Sequence, residues 1–163
     1  MTTRSSCAKR GGFTLIELLI VVAVIAILAA AVFVALDPIQ RFEESRDSAR
    51  WSDVSNVASA VGVDQVDNGG SYLASIAALT AGTAYQIGTA ATGCDSGCTA
   101  QTTNAVCVDL AGLVTEGYIG SVPQDPSTGT ATETDYYLIR NAAGTVEVGA
   151  CDPEAATAIS VTQ

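Results

Sequence analysis

The 163-residue sequence contains no histidine, and its single lysine is Lys9. Without histidine the chain can form neither a Ser-His-Asp or Cys-His catalytic centre nor a histidine-ligated zinc site. The glycine and lysine pattern of a phosphate-binding P-loop is missing as well. Seven basic residues against 17 acidic ones give a net charge of −10, which argues against direct binding to nucleic acid. We therefore expect a protein that is not an enzyme, has no catalytic or metal site, uses no cofactor and does not bind nucleic acid directly.

Aromatic side chains are also scarce, at 6%, yet hydrophobic residues make up 48% of the chain. Much of this apolar content lies in one run, residues 13–36, in which Glu17 is the only charged residue and Thr14 the only other polar one. At about 1.5 Å per residue, a helix of this length crosses a hydrocarbon core of about 30 Å. A cleaved secretory signal has a similar pattern, but this run is longer than the apolar core of such a signal and carries a carboxylate near its start. The sequence therefore predicts a single transmembrane helix over residues 13–36.

Charge is distributed unequally on the two sides of this apolar run. Residues 1–12 carry three basic side chains and no acidic one, so the rest of the chain has a net charge of −13. Basic residues are enriched on the cytoplasmic side of membrane spans. We therefore expect a single-pass protein of the cytoplasmic (inner) membrane with a cytoplasmic N-terminus and an exported, acidic C-terminal part.

The segment that follows, residues 37–66, has apolar residues at intervals of three and four positions, which is typical of an amphipathic helix. Its acidic and basic residues form three pairs with helical spacing: Asp37 with Arg41, Glu43 with Arg46, and Asp47 with Arg50. We interpret them as exposed ion pairs on a solvated helix face, each contributing about 0.2–0.5 kcal/mol.

The remaining residues, 67–163, are rich in Thr, Ala, Gly and Ser and are predicted to form a small exported head. Two runs that favour β-structure, residues 136–140 and 145–151, flank a short turn sequence over residues 141–144, which predicts a hairpin. The predicted fold is therefore α+β, with a long N-terminal helix, first transmembrane and then amphipathic, packed on a small antiparallel sheet.

Four of the five cysteines lie in the predicted exported part, namely Cys94, Cys98, Cys107 and Cys151, whereas Cys7 precedes the span. An even number of exported cysteines favours disulfides over free thiols, although four cysteines permit three pairings. We favour Cys94–Cys98, which would staple a glycine-rich loop, and Cys107–Cys151, which would tie a helical turn to the last strand. A tetrathiolate zinc site is the less favoured alternative, because no second closely spaced cysteine pair follows the first.

Residues 9–18, Lys-Arg-Gly-Gly-Phe-Thr-Leu-Ile-Glu-Leu, resemble the cleavage and methylation signal of type IV pilins and type II secretion pseudopilins. The shared features are a short basic leader, a glycine before an aromatic residue, a glutamate five residues into the mature chain and a long apolar helix. The resemblance implies that a prepilin peptidase cuts between Gly12 and Phe13 and N-methylates Phe13. It implies a pilin-like fold, and a looser similarity to major pilins and pseudopilins extends over residues 107–151.

What the resemblance implies about function is a structural subunit, a prepilin that polymerises into a type IV pilus for adhesion or motility. The implied partners are identical subunits, the prepilin peptidase, and a pilus assembly platform with its ATPase. A carboxylate in an apolar segment requires a partner, and the amine that cleavage creates at Phe13 of a neighbouring subunit would supply one for Glu17. Two alternatives remain open, a major pseudopilin of a type II protein secretion system and a membrane-tethered exported binding domain. The predicted segments are the leader (1–12), the transmembrane or filament-core helix (13–36), the amphipathic helix (37–66) and the head (67–163).

Overall fold

The computed structural model describes residues 12–163, and the chain divides into two compact units between Ile39 and Gln40. The predicted leader, with Cys7, lies outside the described residues except for Gly12. Most of the secondary structure in each unit follows from local sequence signals.

The described part of the first unit, residues 12–39, contains one apolar helix, α1 (Leu15–Leu36), and the first two residues of the helix that follows. Thr14 caps its N-terminus, and the side chains of Thr14 and Glu17 form a reciprocal capping box. The helix ends where Asp37 adopts a left-handed conformation, with φ of 35°, directly before Pro38. A residue that precedes proline is disfavoured in the α-helical region, which explains the end point. By length and composition, the described residues include one helical stretch apolar enough to cross a membrane, and it contains α1.

The second unit, from Gln40 to Gln163, is built around helix α2 (Pro38–Asp67). Its buried apolar residues recur at helical spacing and form one face of the helix, namely Val54, Val57, Ala58 and Val61. The helix ends before Gly69 and Gly70, which both have positive φ and donate their amides to carbonyls of the last turn. Glycine is favoured at this position because a left-handed conformation costs it little.

A four-stranded antiparallel sheet follows α2 in the chain, with strand order β1-β2-β3-β4. Its strands are β1 (Ala84–Gln86), β2 (Tyr136–Arg140), β3 (Val146–Ala150) and β4 (Ser160–Thr162). The central hairpin pairs Tyr136 with Ala150 and Arg140 with Val146. The predicted strands 136–140 and 145–151 are thus confirmed to within a residue or two, whereas β4 is short and polar and lacks a sequence signal.

The core lies between α2 and one face of the sheet, and it is closed by two short helices, α3 (Ala74–Ala77) and α4 (Ala111–Thr115). Side chains on the strands alternate between two faces, so Leu138 and Val148 enter this core while Tyr137 lies on the other side. The fold is therefore α+β, a long N-terminal helix with a small antiparallel sheet, as predicted, and it is consistent with a pilin-like fold.

Candidate functional site

The predicted processing residues lie at the very start of the described chain. Gly12 and Phe13 precede α1 and are exposed, with 81% of the Phe13 surface accessible. Thr14 takes an extended conformation, and its hydroxyl accepts a hydrogen bond from the Glu17 amide at 3.3 Å. The Glu17 carboxylate in turn accepts from the Thr14 amide at 3.4 Å. The structure therefore holds Glu17 in the first helical turn, where the helix dipole favours a negative charge.

The surface of α1 carries almost only hydrocarbon, and none of its residues is buried. Its large side chains are about half exposed or more, among them Leu18, Ile25 and Phe33. An apolar surface of this extent marks a site of membrane or protein contact, because isolated soluble chains rarely expose one. Unit 1 thus combines a basic-flanked terminus, a helix-capping glutamate and a continuous apolar surface.

The four cysteines of the second unit form two disulfides, and their pairing differs from the prediction. Cys94 bonds to Cys107, with the Cα atoms 5.4 Å apart, and Cys98 bonds to Cys151, with the Cα atoms 4.4 Å apart. The predicted pairs Cys94–Cys98 and Cys107–Cys151 are wrong. Proximity along the chain does not reveal which segments the sheet brings together, and that is what decides the pairing.

The disulfide Cys98–Cys151 fixes the segment of residues 88–108 to the end of β3, whereas Cys94–Cys107 closes a loop within that segment. Cys98 and Cys151 pack there with Ala84 and Tyr137 in a second, smaller core. The same segment forms one parallel bridge to Ala84 of β1 and a second to Ile87, directly after β1, so that it also covers the edge of the sheet. The disulfides thus stabilise a loop that has few large apolar side chains of its own.

The second unit contains a buried cluster of charged residues that links α2 to two distant loops. We call it the Arg50 clasp; its members are Arg46, Asp47, Arg50, Asp125 and Glu154. Arg50 is fully buried, and Asp125 and Asp47 are only 4% and 5% exposed. The Arg50 guanidinium donates to Asp125 at 2.5 and 2.9 Å, to Asp47 at 2.8 Å and to Glu154 at 2.9 Å. One arginine on α2 therefore holds three carboxylates from three separate parts of the chain.

Asp47 also binds the backbone of the segment that follows β3. Its carboxylate accepts from the amides of Glu154, Ala155 and Ala156 at 2.7–3.1 Å. Glu154 is bound in addition by the guanidinium of Arg46. The clasp therefore attaches residues 154–156, between β3 and β4, to the middle of α2.

Electrostatics in the clasp favour the charged form of every member. Hydrogen bonds to Asp125 and then to the other carboxylates raise the pKa of Arg50 despite its burial. Burial alone would raise the pKa of Asp125, but the hydrogen bonds from Arg50 and from the amides of Ser127 and Thr128 outweigh it, so the pKa is lowered. For Glu154, the hydrogen bond from Arg46 is the largest influence, and its pKa is also lowered.

This clasp corrects the prediction of a solvated, charged helix face. Asp47 does pair with Arg50, but the pair is buried, and Arg46 pairs with Glu154 rather than with Glu43. Arg41 pairs with Glu44 instead of Asp37 and is the one exposed case, with 71% of its side chain accessible. A signal for the burial exists in the sequence, because Arg50 precedes Val54 by four residues and Val57 by seven and so lies on the apolar face.

Asp135 is a buried carboxyl group outside the clasp, and no cation faces it in the described structure. It lies directly before β2 with φ of 59°, and its carboxylate accepts a hydrogen bond from the side-chain amide of Gln86 at 2.7 Å. Burial raises its pKa, and the nearby charges of Asp152 and Asp125 act in the same direction. Hydrogen bonds from Thr128 and Gln86 lower the pKa but do not outweigh these influences. Among residues 12–163, no group of three or more His, Cys, Asp or Glu side chains is placed to hold a metal ion.

Comparison with known proteins gives one match, which lies in the N-terminal segment. The family model described as the prokaryotic N-terminal methylation motif matches residues 7–33. No curated protein and no solved structure matches the chain. The motif covers Lys9 and Arg10 of the basic flank, Gly12, Phe13, Glu17 and most of α1. This chain therefore carries the prepilin-type signal of type IV pilins and pseudopilins.

Proposed function

We propose that the chain is a prepilin, a structural subunit that is cut after Gly12, N-methylated at Phe13 and polymerised through α1 into a type IV pilus. The observation that carries this proposal is the match of the methylation motif to residues 7–33, in a chain whose α1 has no buried residue. Adhesion or motility is the role we assign to the filament. The signal is common to pilins and pseudopilins, so a short secretion pseudopilus is the alternative assembly.

Before assembly, we propose that α1 spans the cytoplasmic membrane with the basic leader on the cytoplasmic side. The 22 residues of α1 extend about 33 Å at 1.5 Å per residue, close to the thickness of a hydrocarbon core. Moving α1 from lipid into a bundle of like helices exchanges one apolar environment for another. Extraction by an assembly platform and its ATPase then requires little net loss of hydrophobic stabilisation.

Glu17 is the residue to which we assign axial register. In lipid, a carboxylate costs about 2.5–3.5 kcal/mol at the centre of a helix and less towards the interface. Cleavage after Gly12 would create an amine at Phe13, only four residues away in sequence. In the filament, we propose that this amine pairs with Glu17 of an adjacent subunit. A buried ion pair of this kind acts mainly by penalising every register in which one charge stays unpaired.

The proposal is tested by Glu17→Val, expressed in the native cells beside Glu44→Gln as a matched control that removes an exposed carboxylate from α2. We expect Glu17→Val to be inserted in the membrane and cleaved but depleted from sheared filaments by at least tenfold. Glu44→Gln should assemble like the wild type. The cleaved fraction is read by intact mass, and assembly is read by the share of the protein in the sheared fraction.

The outcomes separate the alternatives. Wild-type assembly of Glu17→Val would overturn the register role of Glu17. If the wild-type protein forms short filaments that stay below the cell surface, it is a pseudopilin. If it remains uncleaved in the membrane, the proposal of a filament subunit fails and the tethered binding domain takes its place.

A further inference from the structure

The two disulfides of the second unit are interleaved along the chain, because the first cysteine of the four pairs with the third and the second pairs with the fourth. We propose that the chain is a substrate for thiol–disulfide exchange in the compartment where it folds. A disulfide-bearing oxidant first converts the four thiols into two disulfides, and a thiol catalyst then converts mispaired bonds into the native pair. The compartment that we assign to this reaction depends on the proposed export of the chain. The exchange chemistry itself depends only on how the four cysteines are paired.

Chain statistics favour the wrong first bond. The closest pairs are Cys94–Cys98, four positions apart, and Cys98–Cys107, nine apart, and neither is native. The native pairs are separated by 13 and 53 positions. Because the probability of loop closure falls as about the 3/2 power of loop length, Cys94–Cys98 accounts for roughly two-thirds of first bonds and the native pairs together for roughly one-eighth.

The order in which the chain crosses the membrane adds to this bias. With the N-terminus in the cytoplasm, Cys94, Cys98 and Cys107 reach the exported side before Cys151 does. Cys98 must therefore wait for a partner 53 positions further along while two closer cysteines are already present. The native bond of Cys98 is consequently the one most readily pre-empted.

Folding favours the native cysteine pairs over the pairs that loop closure favours in the unfolded chain. In the folded unit the Cys94 amide donates to the carbonyl of Ala105 at 3.1 Å, which brings Cys94 beside Cys107. The Ala100 amide donates to the carbonyl of Cys151 at 2.9 Å, which holds the loop of Cys98 against the end of β3. The sheet and its covering loop therefore stabilise the interleaved pairing specifically, and this difference drives the exchange without any net oxidation.

Burial then preserves the native pairing. Cys94 and Cys151 each have 0% exposed surface, and they belong to different disulfides. Each native disulfide thus has one sulfur that a catalyst cannot reach in the folded protein. In the folded protein, attack by a thiol is limited to Cys98 and Cys107, which are partly exposed. Mispaired bonds are therefore exchanged before the segment of residues 88–108 closes over the sheet, so the catalyst acts on incompletely folded chains.

The exchange balances without a further reactant. A catalyst thiolate attacks Cys94 Sγ in a mispaired Cys94–Cys98 bond, forming a mixed disulfide and releasing the Cys98 thiolate. Cys98 attacks Cys151 Sγ of a Cys107–Cys151 bond, which forms the native Cys98–Cys151 pair and frees the Cys107 thiolate. Cys107 then attacks Cys94 Sγ of the mixed disulfide, and the catalyst leaves as the thiolate it was at the start. In the preceding oxidation, each new disulfide transfers two electrons and two protons to the oxidant.

The test is oxidative refolding of the full chain in detergent, with Cys7→Ser so that only the four cysteines of the second unit react. The protein is reduced, unfolded in urea, diluted, and reoxidised with diamide, either alone or followed by reduced glutathione as the thiol catalyst. Bonds are mapped after alkylation and cleavage at aspartate, since Asp95 separates Cys94 from Cys98. Fragmentation of the linked peptides between Cys98 and Cys107 assigns the remaining partner.

We expect Cys94–Cys98 to predominate with diamide alone, with native pairing in roughly one-eighth of the chains, and the native fraction to rise at least fivefold with glutathione. The matched control is Cys94→Ser/Cys107→Ser, in which Cys98–Cys151 is the only bond available, so its yield should not depend on glutathione. Cys98→Ser/Cys151→Ser serves the same purpose if the first variant fails to fold.

Native pairing that forms equally well without the thiol would overturn the proposal. So would a control whose single bond shows the same thiol dependence, because exchange between pairs cannot occur there. Neither result involves filament formation, so the outcome is independent of the proposed function.

Discussion

Replacing Arg50 with methionine removes the cation of the clasp while keeping an unbranched apolar side chain on the buried face of α2. Asp47 and Asp125 would then remain buried, and each would lose its hydrogen bonds from the guanidinium. Removing one partner of a buried ion pair typically costs about 3–5 kcal/mol, because the charge that remains is uncompensated. We expect Arg50→Met to lower the free energy of unfolding of the second unit by about that amount.

The assay is urea unfolding of the detergent-solubilised, disulfide-bonded protein. The only tryptophan, Trp51, lies next to Arg50 in α2 and is 43% exposed, so its fluorescence reports the state of this helix directly. For a small domain with an m-value of about 2 kcal/mol/M, the expected loss moves the urea midpoint down by roughly 1.5–2.5 M. The same variant should release residues 154–156 from α2, which hydrogen exchange of their amides would detect.

Arg41→Met is the matched control. Arg41 lies on the same helix and has a carboxylate partner three positions away, but its side chain is exposed. An exposed ion pair contributes about 0–1 kcal/mol, so this variant should unfold close to the wild type. If Arg50→Met and Arg41→Met shift the midpoint equally, the reasoning that burial makes the clasp important is refuted.

Three further predictions concern acid and close packing. The clasp carboxylates have lowered pKa values in the folded protein. Their contribution to the free energy of unfolding is therefore fully present above the ordinary pKa of about 4 and is lost as the pH falls through the lower, folded values. Urea unfolding measured at a series of pH values should show a steeper loss of stability in acid for the wild type than for Arg50→Met. Asp135 has a raised pKa, so its ionised form lowers the stability of the folded protein at neutral pH. Asp135→Asn should therefore be more stable than the wild type at pH 7 and indistinguishable from it below about pH 4. An equal gain in stability at both pH values would count against this assignment. A Cβ at Gly149 would lie 2.4 Å from the Tyr137 ring, so Gly149→Ala should lower the free energy of unfolding by about 1–3 kcal/mol in the same urea assay. A Cβ at Gly120 meets nothing within 4 Å, so the control Gly120→Ala should differ from the wild type by no more than about 0.5 kcal/mol.

The parts of the fold that the sequence predicts are those that local signals determine. The run from Leu15 to Leu36 has no competing polar residue after Glu17, so a helix is the expected way to satisfy its backbone. The central hairpin follows from two β-favouring segments beside a turn sequence. The strand β4, by contrast, has only three residues and is defined by its pairing to β3, which no local pattern reveals.

The charged cluster and the disulfides depend on contacts between distant residues. Arg50 and Asp125 are 75 positions apart, so helical spacing could suggest only the Asp47 partner. The predicted cysteine pairing is wrong for a related reason. Separation along the sequence determines which cysteines meet in the unfolded chain, whereas in the folded protein the sheet brings Cys98 to Cys151. Asp125 precedes Pro126 and accepts hydrogen bonds from the Ser127 and Thr128 amides, as a turn residue does, but it also binds Arg50.

The most direct test of the proposed function is the intact mass and N-terminal peptide of filaments sheared from the native cell surface. We expect a chain that begins with N-methylated Phe13, lacks residues 1–12, and is four hydrogens lighter than the reduced polypeptide because of its two disulfides. Recovery of the protein only from membranes, with Met1 or Thr2 at its terminus, would show that it is not a processed filament subunit.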